Sequence, residues 1–443
     1  MLDARALALD ILVKCESRSI PTDLELAARL GSSGLEPRDR KFVTSLVRTT
    51  LRWRGRADAV LDRRLARGLR SLSKVMSNVL RLAYVQLFHI EGIPARAVVH
   101  TAVELARLQG GEGMARLANS VLRQLIRVPP TSEDWSGRGG SAALEGELSH
   151  PAWLLNRWIR QWGIEKTRRL CSWNNGTPSL HLRVRGDESQ RKAVVKELEE
   201  SGLRCAPGEL LEETLRVDGH FPVGSHPRVK DGTITLQDES QALVGHLWPQ
   251  PLAGVTLDLC AAPGTKCSHV AQLNPEGSVL AMDSSLERAR MIAATKIRLD
   301  LRKLHVIVGD GRRPPLGGAY PRVLLDAPCS GLGVLRRRPD ARWLRSGSEI
   351  VAAAKLQRQL LERAATLVAP GGSLLYSVCT LEPEETEQRV SGFLKRQPRF
   401  RPGELPDWLP EEVKSGDGVV RVFPGTLGME GLFAALMRKD RDA

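Results

Sequence analysis

From residue 255 onward the sequence repeats one pattern: a short apolar run, a turn of small or polar residues, then a segment of helical period. Apolar runs this short and this unbroken suit strands buried on both faces, which occur where helices cover a parallel sheet. The pattern predicts strands near 255–259, 278–283, 305–309, 323–326 and 373–377. It predicts helices near 267–273, 286–299, 349–368 and 384–396. VVRVF (419–423) and GLFAALMRK (431–439) suit a closing antiparallel pair. The predicted fold here is a doubly wound α/β domain. Such sheets bind ligands beyond the carboxyl ends of their strands. Three strand ends carry unusual chemistry: VTLDLCAAPGTKCSH (255–269), VLLDAPCSGLGV (323–334) and LLYSVCT (374–380).

The preceding chain reads differently. Helical periodicity at 3–15, 37–51, 74–88, 95–108 and 114–127, with turn residues at Gly31–Gly34, Gly92–Pro94 and Gly110–Gly113, predicts an all-helical domain over 1–128. Residues 129–149, rich in Pro, Gly and Ser and without a period, read as a linker. Residues 150–240 read as a small α+β module: a helix in which Trp153, Leu154, Trp158 and Trp162 share a face, a strand at 180–184, a helix at 189–201 and a strand at 233–236. The α/β domain then runs over 241–443. A chain of 443 residues exceeds what one core usually supports, consistent with this division.

Charge is concentrated at one end. Of the net +14, residues 1–130 carry +10. The stretch 52–81 holds Arg52, Arg54, Arg56, Arg63, Arg64, Arg67, Arg70, Lys74 and Arg81 against Asp58 and Asp62. Such an excess suits a polyanion, above all nucleic acid; a solvated helix face is the competing reading. No apolar run reaches the length of a membrane span, and MLDARALALDILVKC lacks the pattern of a secretion signal. Seven Cys without a C-x-x-C pair suit free thiols in a reducing cytoplasm. Cys15, Cys171 and Cys205 read as structural. Cys260, Cys267 and His269 have no standard zinc spacing and lack a fourth partner, so no metal is expected.

The first strand end, Cys260, Ala261, Ala262, Pro263, Gly264, Thr265 and Lys266, lets a ligand approach the backbone and opens a helix. It matches neither the dinucleotide nor the triphosphate glycine motif. Asp283 ends the second strand, where a carboxylate accepts from ribose hydroxyls; Asp310 follows the third and Asp326 ends the fourth. Together they suit an adenosine cofactor without a phosphate tail, and S-adenosylmethionine fits. Cys329 and Cys379 then bear on the acceptor. Cytosine C5 attacks a methyl group only after a thiolate adds to C6, and Asp326 can hydrogen-bond the N3/N4 edge of such a ring. The D/N-P-P-Y/F motif of amine methylation is absent. Position does not choose which cysteine attacks.

DAPCSGLGVLRRRPDARW (326–343) and YSVCTLEPEE (376–385) resemble the paired motifs of RNA 5-methylcytosine methyltransferases. With HPAW (150–153) and QDESQ (237–241), the chain from about residue 3 to 439 is similar to the Sun/RsmB branch of that family. PRDRKFVTSLVRTTLR (37–52), VLRLAYVQLFHIEGIPARAVVHTAVELAR (79–107) and LANSVLR (117–123) resemble a NusB-like RNA-binding domain. The resemblance implies Cys379 as nucleophile, Cys329 assisting product release, and Cys260–Lys266, Asp283, Asp310 and Asp326 around S-adenosylmethionine, with Lys266 near its methionine end. It implies small-subunit rRNA, free or in a partly assembled ribosomal particle, as substrate, with neither DNA nor a membrane as partner. The chain departs from the family pattern at Thr265 and Cys267, in SVCT (377–380), and at Arg185. Methylation of another RNA, and a non-catalytic RNA-binding factor, are the alternative readings.

Overall fold

The computed structural model describes residues 2–136, 140–219, 221, 223–224, 226–250 and 252–442. They form two compact units, Met1–Gly176 with Leu335–Ser346, and Thr177–Val334 with Gly347–Ala443.

The first unit opens with α1 (Leu2–Arg18), α2 (Thr22–Gly31), α3 (Pro37–Asp62), α4 (Lys74–Phe88) and α5 (Ala95–Arg127). Their apolar stripes meet in one core that includes Ile11, Leu46, Val60, Leu80, Leu105 and Leu122. The periodic stretches 95–108 and 114–127 join into α5, broken by Gly111 at φ 74°, a backbone geometry only glycine adopts cheaply. The segment read as a linker is structured: α6 (Glu133–Ser136) and α7 (Gly140–Leu148) precede α8 (Ala152–Asn175). α7 lies so close to α3 that a Cβ on Gly55 would fall 2.7 Å from the Glu145 carbonyl oxygen. Low helix propensity there is overridden by packing. Of the predicted stripe in α8, Leu154 and Trp158 are buried, while Trp153 and Trp162 are only partly so.

The chain continues as β1 (Leu180–Val184), α9 (Glu188–Glu200), β2 (Arg204–Pro207), β3 (Thr214–Asp218), α10 (Pro227–Lys230) and β4 (Ile234–Leu236). These strands make an antiparallel sheet of order β2-β3-β1-β4, with α9 contributing Val194 and Leu198 to its core. Next come α11 (Glu239–His246), β5 (Val255–Asp258), α12 (Thr265–Leu273), β6 (Ser278–Asp283), α13 (Leu286–Arg298), β7 (Leu304–Val308) and β8 (Tyr320–Asp326). Then follow α14 (Ala341–Leu344), α15 (Gly347–Leu367), β9 (Val368–Val378), α16 (Glu387–Arg396), β10 (Phe400–Pro402), β11 (Val419–Val422) and β12 (Leu432–Lys439).

The large sheet runs β10-β12-β9-β8-β5-β6-β7, with β11 paired to β12. β5 through β9 are parallel; β12 is antiparallel to both β9 and β11. Alternate strand residues feed two cores: Leu324 and Leu375 enter one, Val323, Leu325, Leu374 and Tyr376 the other. The chain leaves β5 for β6 on one side and returns to β8 on the other. The crevice lies at this reversal, beyond the carboxyl ends of β5 and β8.

The stretch after the DAPCSGLGV motif belongs to the first unit, which the sequence did not signal. Fully buried there, Arg342 donates to the carbonyls of Ser149 (3.0 Å) and Asn174 (3.1 Å) and to Asn175 Oδ1 (2.7 Å). Trp343 Nε1 donates to the Leu51 carbonyl at 2.6 Å. A buried guanidinium is tolerated only with such acceptors.

Candidate active site

Each strand end predicted to carry chemistry lies on the carboxyl edge of the large sheet. Gly264 takes φ 107° as α12 begins, and a Cβ there would sit 3.3 Å from Ile292 Cα, so the turn requires glycine. Lys266, in the first turn of α12, donates to Asp326 Oδ2 at 2.7 Å and also contacts Gln241 Oε1. Ser377 Oγ donates to Asp326 Oδ1 at 2.7 Å. Parallel register sets Asp326 opposite Ser377, so pairing of β8 with β9 aims that hydroxyl. Both oxygens of Asp326 are thereby held.

Asp283 is buried, accepts from the Ser285 backbone N–H at 3.1 Å, and lies 3.3 Å from Arg288 Nη2. Arg288 also donates to the Ala262 carbonyl at 3.2 Å, tying the second strand end to the first turn. Asp310 differs: its half-exposed carboxylate is chelated by Arg312, with bonds of 2.7 to 3.1 Å. That hydrogen bonding and charge hold it below the usual carboxylate range. Its neighbour Gly311 nonetheless abuts the end of β5, within 3.5 Å of the Leu259 carbonyl oxygen at its Cβ position.

Asp258, at the end of β5, was not singled out from the sequence. Burial first, then the charge of Asp326, raises its carboxyl to about 8. Oδ1 accepts from the Cys260 N–H at 3.3 Å, while Oδ2 is buried with no partner among the described residues. It lies mid-pattern in an apolar run, where a strand-end carboxylate and a capping residue look alike.

The two cysteines converge. Cys329 Sγ and Cys379 Sγ are 3.2 Å apart as free thiols. The hydrogen bond to Cys379, then burial, raises the Cys329 thiol well above its ordinary range. A frame behind them was also missed. Glu385 Oε2 accepts from the Ser330 N–H (2.9 Å) and Gln357 Nε2 (2.8 Å), and Gln357 Nε2 donates to the Pro328 carbonyl (2.9 Å). Gly333 N donates to the Cys379 carbonyl at 3.0 Å.

A doubly wound sheet with paired thiols and buried carboxylates at its switch point, preceded by a helical unit, defines a methyltransferase of the Rossmann-like class. The 16S rRNA methyltransferase RsmB/F model matches residues 246–438, the NusB family model residues 2–127, and the RsmF/B-like ferredoxin-like domain model residues 150–224. The chain belongs to the RsmB/F methyltransferase family. It is 32% identical to the Bacillus subtilis protein named Probable ribosomal RNA small subunit methyltransferase B, across 98% of each chain. Identity to the Vibrio cholerae Ribosomal RNA small subunit methyltransferase B is also 32%, across 91% of each. Among solved structures, PH0851 superposes with a TM-score of 0.80 at 24% identity, covering 98% of both chains. NSun6 from Pyrococcus horikoshii with SFG gives 0.56 at 22%, covering 65% of this chain and 98% of that one.

Proposed function

We propose that the chain methylates C5 of a cytosine in small-subunit rRNA, using S-adenosylmethionine and a transient bond from Cys379 to C6. The observation that carries this reading is the 3.2 Å approach of Cys329 and Cys379 beside the anchored Asp326. The relatives above are named as ribosomal RNA small subunit methyltransferase B, the Bacillus subtilis one as a probable member, and the NusB-family match favours RNA over DNA.

The crevice fits the cofactor. Ala261, Ala262 and Gly264 keep the turn small, and the buried Asp258 Oδ2 at the strand end has no partner among the described residues. Cys260–Lys266 and Asp283 would hold its nucleoside end, with Asp283 toward the ribose hydroxyls, and Lys266 and Asp326 would face its methionine end. Asp310, engaged by Arg312, would need to exchange that partner to take part. When bound, the cofactor supplies an electrophilic methyl group.

The flipped cytosine enters the crevice with Asp326 at its N3/N4 edge. The Cys379 thiolate adds to C6, and the electron pair of the C5=C6 bond becomes available at C5, which takes the methyl group. Water carries off the C5 proton, the C5–H electron pair restores the double bond, and the C6–S pair leaves on Cys379 as thiolate, with Cys329 assisting release.

Denaturing gels of the enzyme with RNA and cofactor test this. Cys379→Ala should neither methylate nor form an adduct. Cys329→Ala should accumulate a denaturant-resistant protein–RNA adduct. An adduct with Cys379→Ala and none with Cys329→Ala would reverse the roles, as in DNA-type enzymes. Bisulfite sequencing of small-subunit rRNA from a deletion strain reads the substrate.

A further inference from the structure

Away from the thiols, the second unit gathers three ligand-type side chains from distant parts of the sequence. Glu213 directly precedes β3, His246 ends α11 and His269 lies in α12. One atom from each lies within 4.8 Å of the others. His246 Nε2 donates to Glu213 Oε1 at 2.6 Å, and His269 Nε2 lies 3.2 Å from the same oxygen. The two rings meet edge to face at 5.3 Å between centroids, so their Nε2 atoms converge instead of stacking.

Both Nε2 atoms now share Glu213 Oε1, so a metal would take the place of the shared hydrogens, with each ring proton moving to Nδ1. Access exists as well. Glu213 and His269 line a cavity of about 640 Å³, and the His246 side chain is 18% exposed.

We propose that Glu213, His246 and His269 form a two-histidine, one-carboxylate site for a divalent ion of the Zn²⁺ class. Ligand bonds of about 2.0–2.2 Å to a tetrahedral Zn²⁺ set ligand atoms roughly 3.3–3.6 Å apart, so the 2.6 Å contact of His246 with Glu213 must open while the 3.2 Å contact of His269 barely changes. Two nitrogens select borderline ions such as Zn²⁺ or Co²⁺ over Mg²⁺ or Ca²⁺. The positive charge of Arg183, bonded to the Thr265 carbonyl and Ser268 beside His269, weakens the site. The ion would clamp the edge of β3 in the antiparallel sheet to α11 and α12. That role is independent of methyl transfer.

The test uses the full chain freed of metal with a chelator, then titrated with Co²⁺ and Zn²⁺. Wild type should bind one Co²⁺ with visible d–d bands and no near-ultraviolet thiolate charge-transfer band. Its melting temperature should rise with Zn²⁺. His246→Ala and Glu213→Gln, each checked for folding by circular dichroism, should weaken binding at least tenfold and lose that rise. Absence of one-to-one binding, a thiolate band, or undiminished binding in both variants would overturn the site and leave a hydrogen-bonded network alone.

Discussion

Glu385 Oε2 accepts the Ser330 backbone N–H at 2.9 Å, joining the loop that carries Cys329 to the one that follows Cys379. The same oxygen accepts from Gln357, and the Glu385 carbonyl accepts from Tyr376 Oη at 2.7 Å. All of this is buried. Glu385→Ala would leave the Ser330 N–H and the Gln357 amide without their shared acceptor, at about 1–3 kcal/mol each. Denaturant unfolding should show a loss of that order, and methyl transfer should fall with it. Glu385→Gln retains an acceptor oxygen and should recover a large part of both. Equal stability of the Ala variant and wild type would remove Glu385 from this framing role.

The second expectation concerns pH. Asp258 has its carboxyl raised to about 8, chiefly by burial, against an ordinary value near 3.8. Between those values the folded chain binds a proton that the unfolded chain has lost. Stability from this group is full below about pH 4, declines by at most about 1.4 kcal/mol per pH unit, and is gone above 8. Asp258→Asn mimics the protonated form and has no such decline. Its stability relative to wild type should grow from pH 5 to 8 and then level. Parallel curves for the two proteins would show that Asp258 ionises normally.

The α/β strands were legible because burial on both faces leaves a short continuous apolar run, and their ends could be read for chemistry. The paired position of Cys329 and Cys379 was less so, since it depends on β8 lying beside β9. α6 and α7 were hidden by Gly-rich composition; their helical state comes from α3. Arg342 reads as one more charge in RRRPDARW, and its burial depends on acceptors nearly two hundred residues away. The Glu213, His246 and His269 grouping likewise has no local spacing to betray it.

Asp283 tests the cofactor pocket. With a ribose diol as its ligand, Asp283→Ala should weaken S-adenosylmethionine binding by roughly 1–3 kcal/mol, or about 5- to 150-fold in Kd. Because Asp283 also anchors Ser285 and Arg288, Asp283→Asn serves as a milder companion that keeps one acceptor. Titration calorimetry on folded protein reads both. Wild-type affinity in the Ala variant would remove Asp283 from the pocket.

The basic cluster of 52–81 needs division before it is tested. Arg54 and Arg81 pair with Glu16 and Asp58, Arg52 donates to the Arg336 carbonyl, and Arg56 lies over the rings of Trp53 and Trp135. Arg64, its side chain 7% exposed, binds Asp134 at 2.8 Å. These charges hold the helical unit together. Arg63, Arg67, Arg70 and Lys74 are exposed. Single-stranded RNA contributes about 0.7 to the salt slope per phosphate neutralised. Replacing Arg63, Arg67 and Arg70 together with Ala should therefore lower the slope of log K against log salt by about 2, with cofactor binding intact. Arg64→Ala should instead cost roughly 1–3 kcal/mol of stability through the lost charged hydrogen bond and leave the slope unchanged. Filter binding across salt concentrations separates the two variants. A slope that drops with Arg64→Ala and not with the triple variant would put the RNA contacts on the opposite set of side chains.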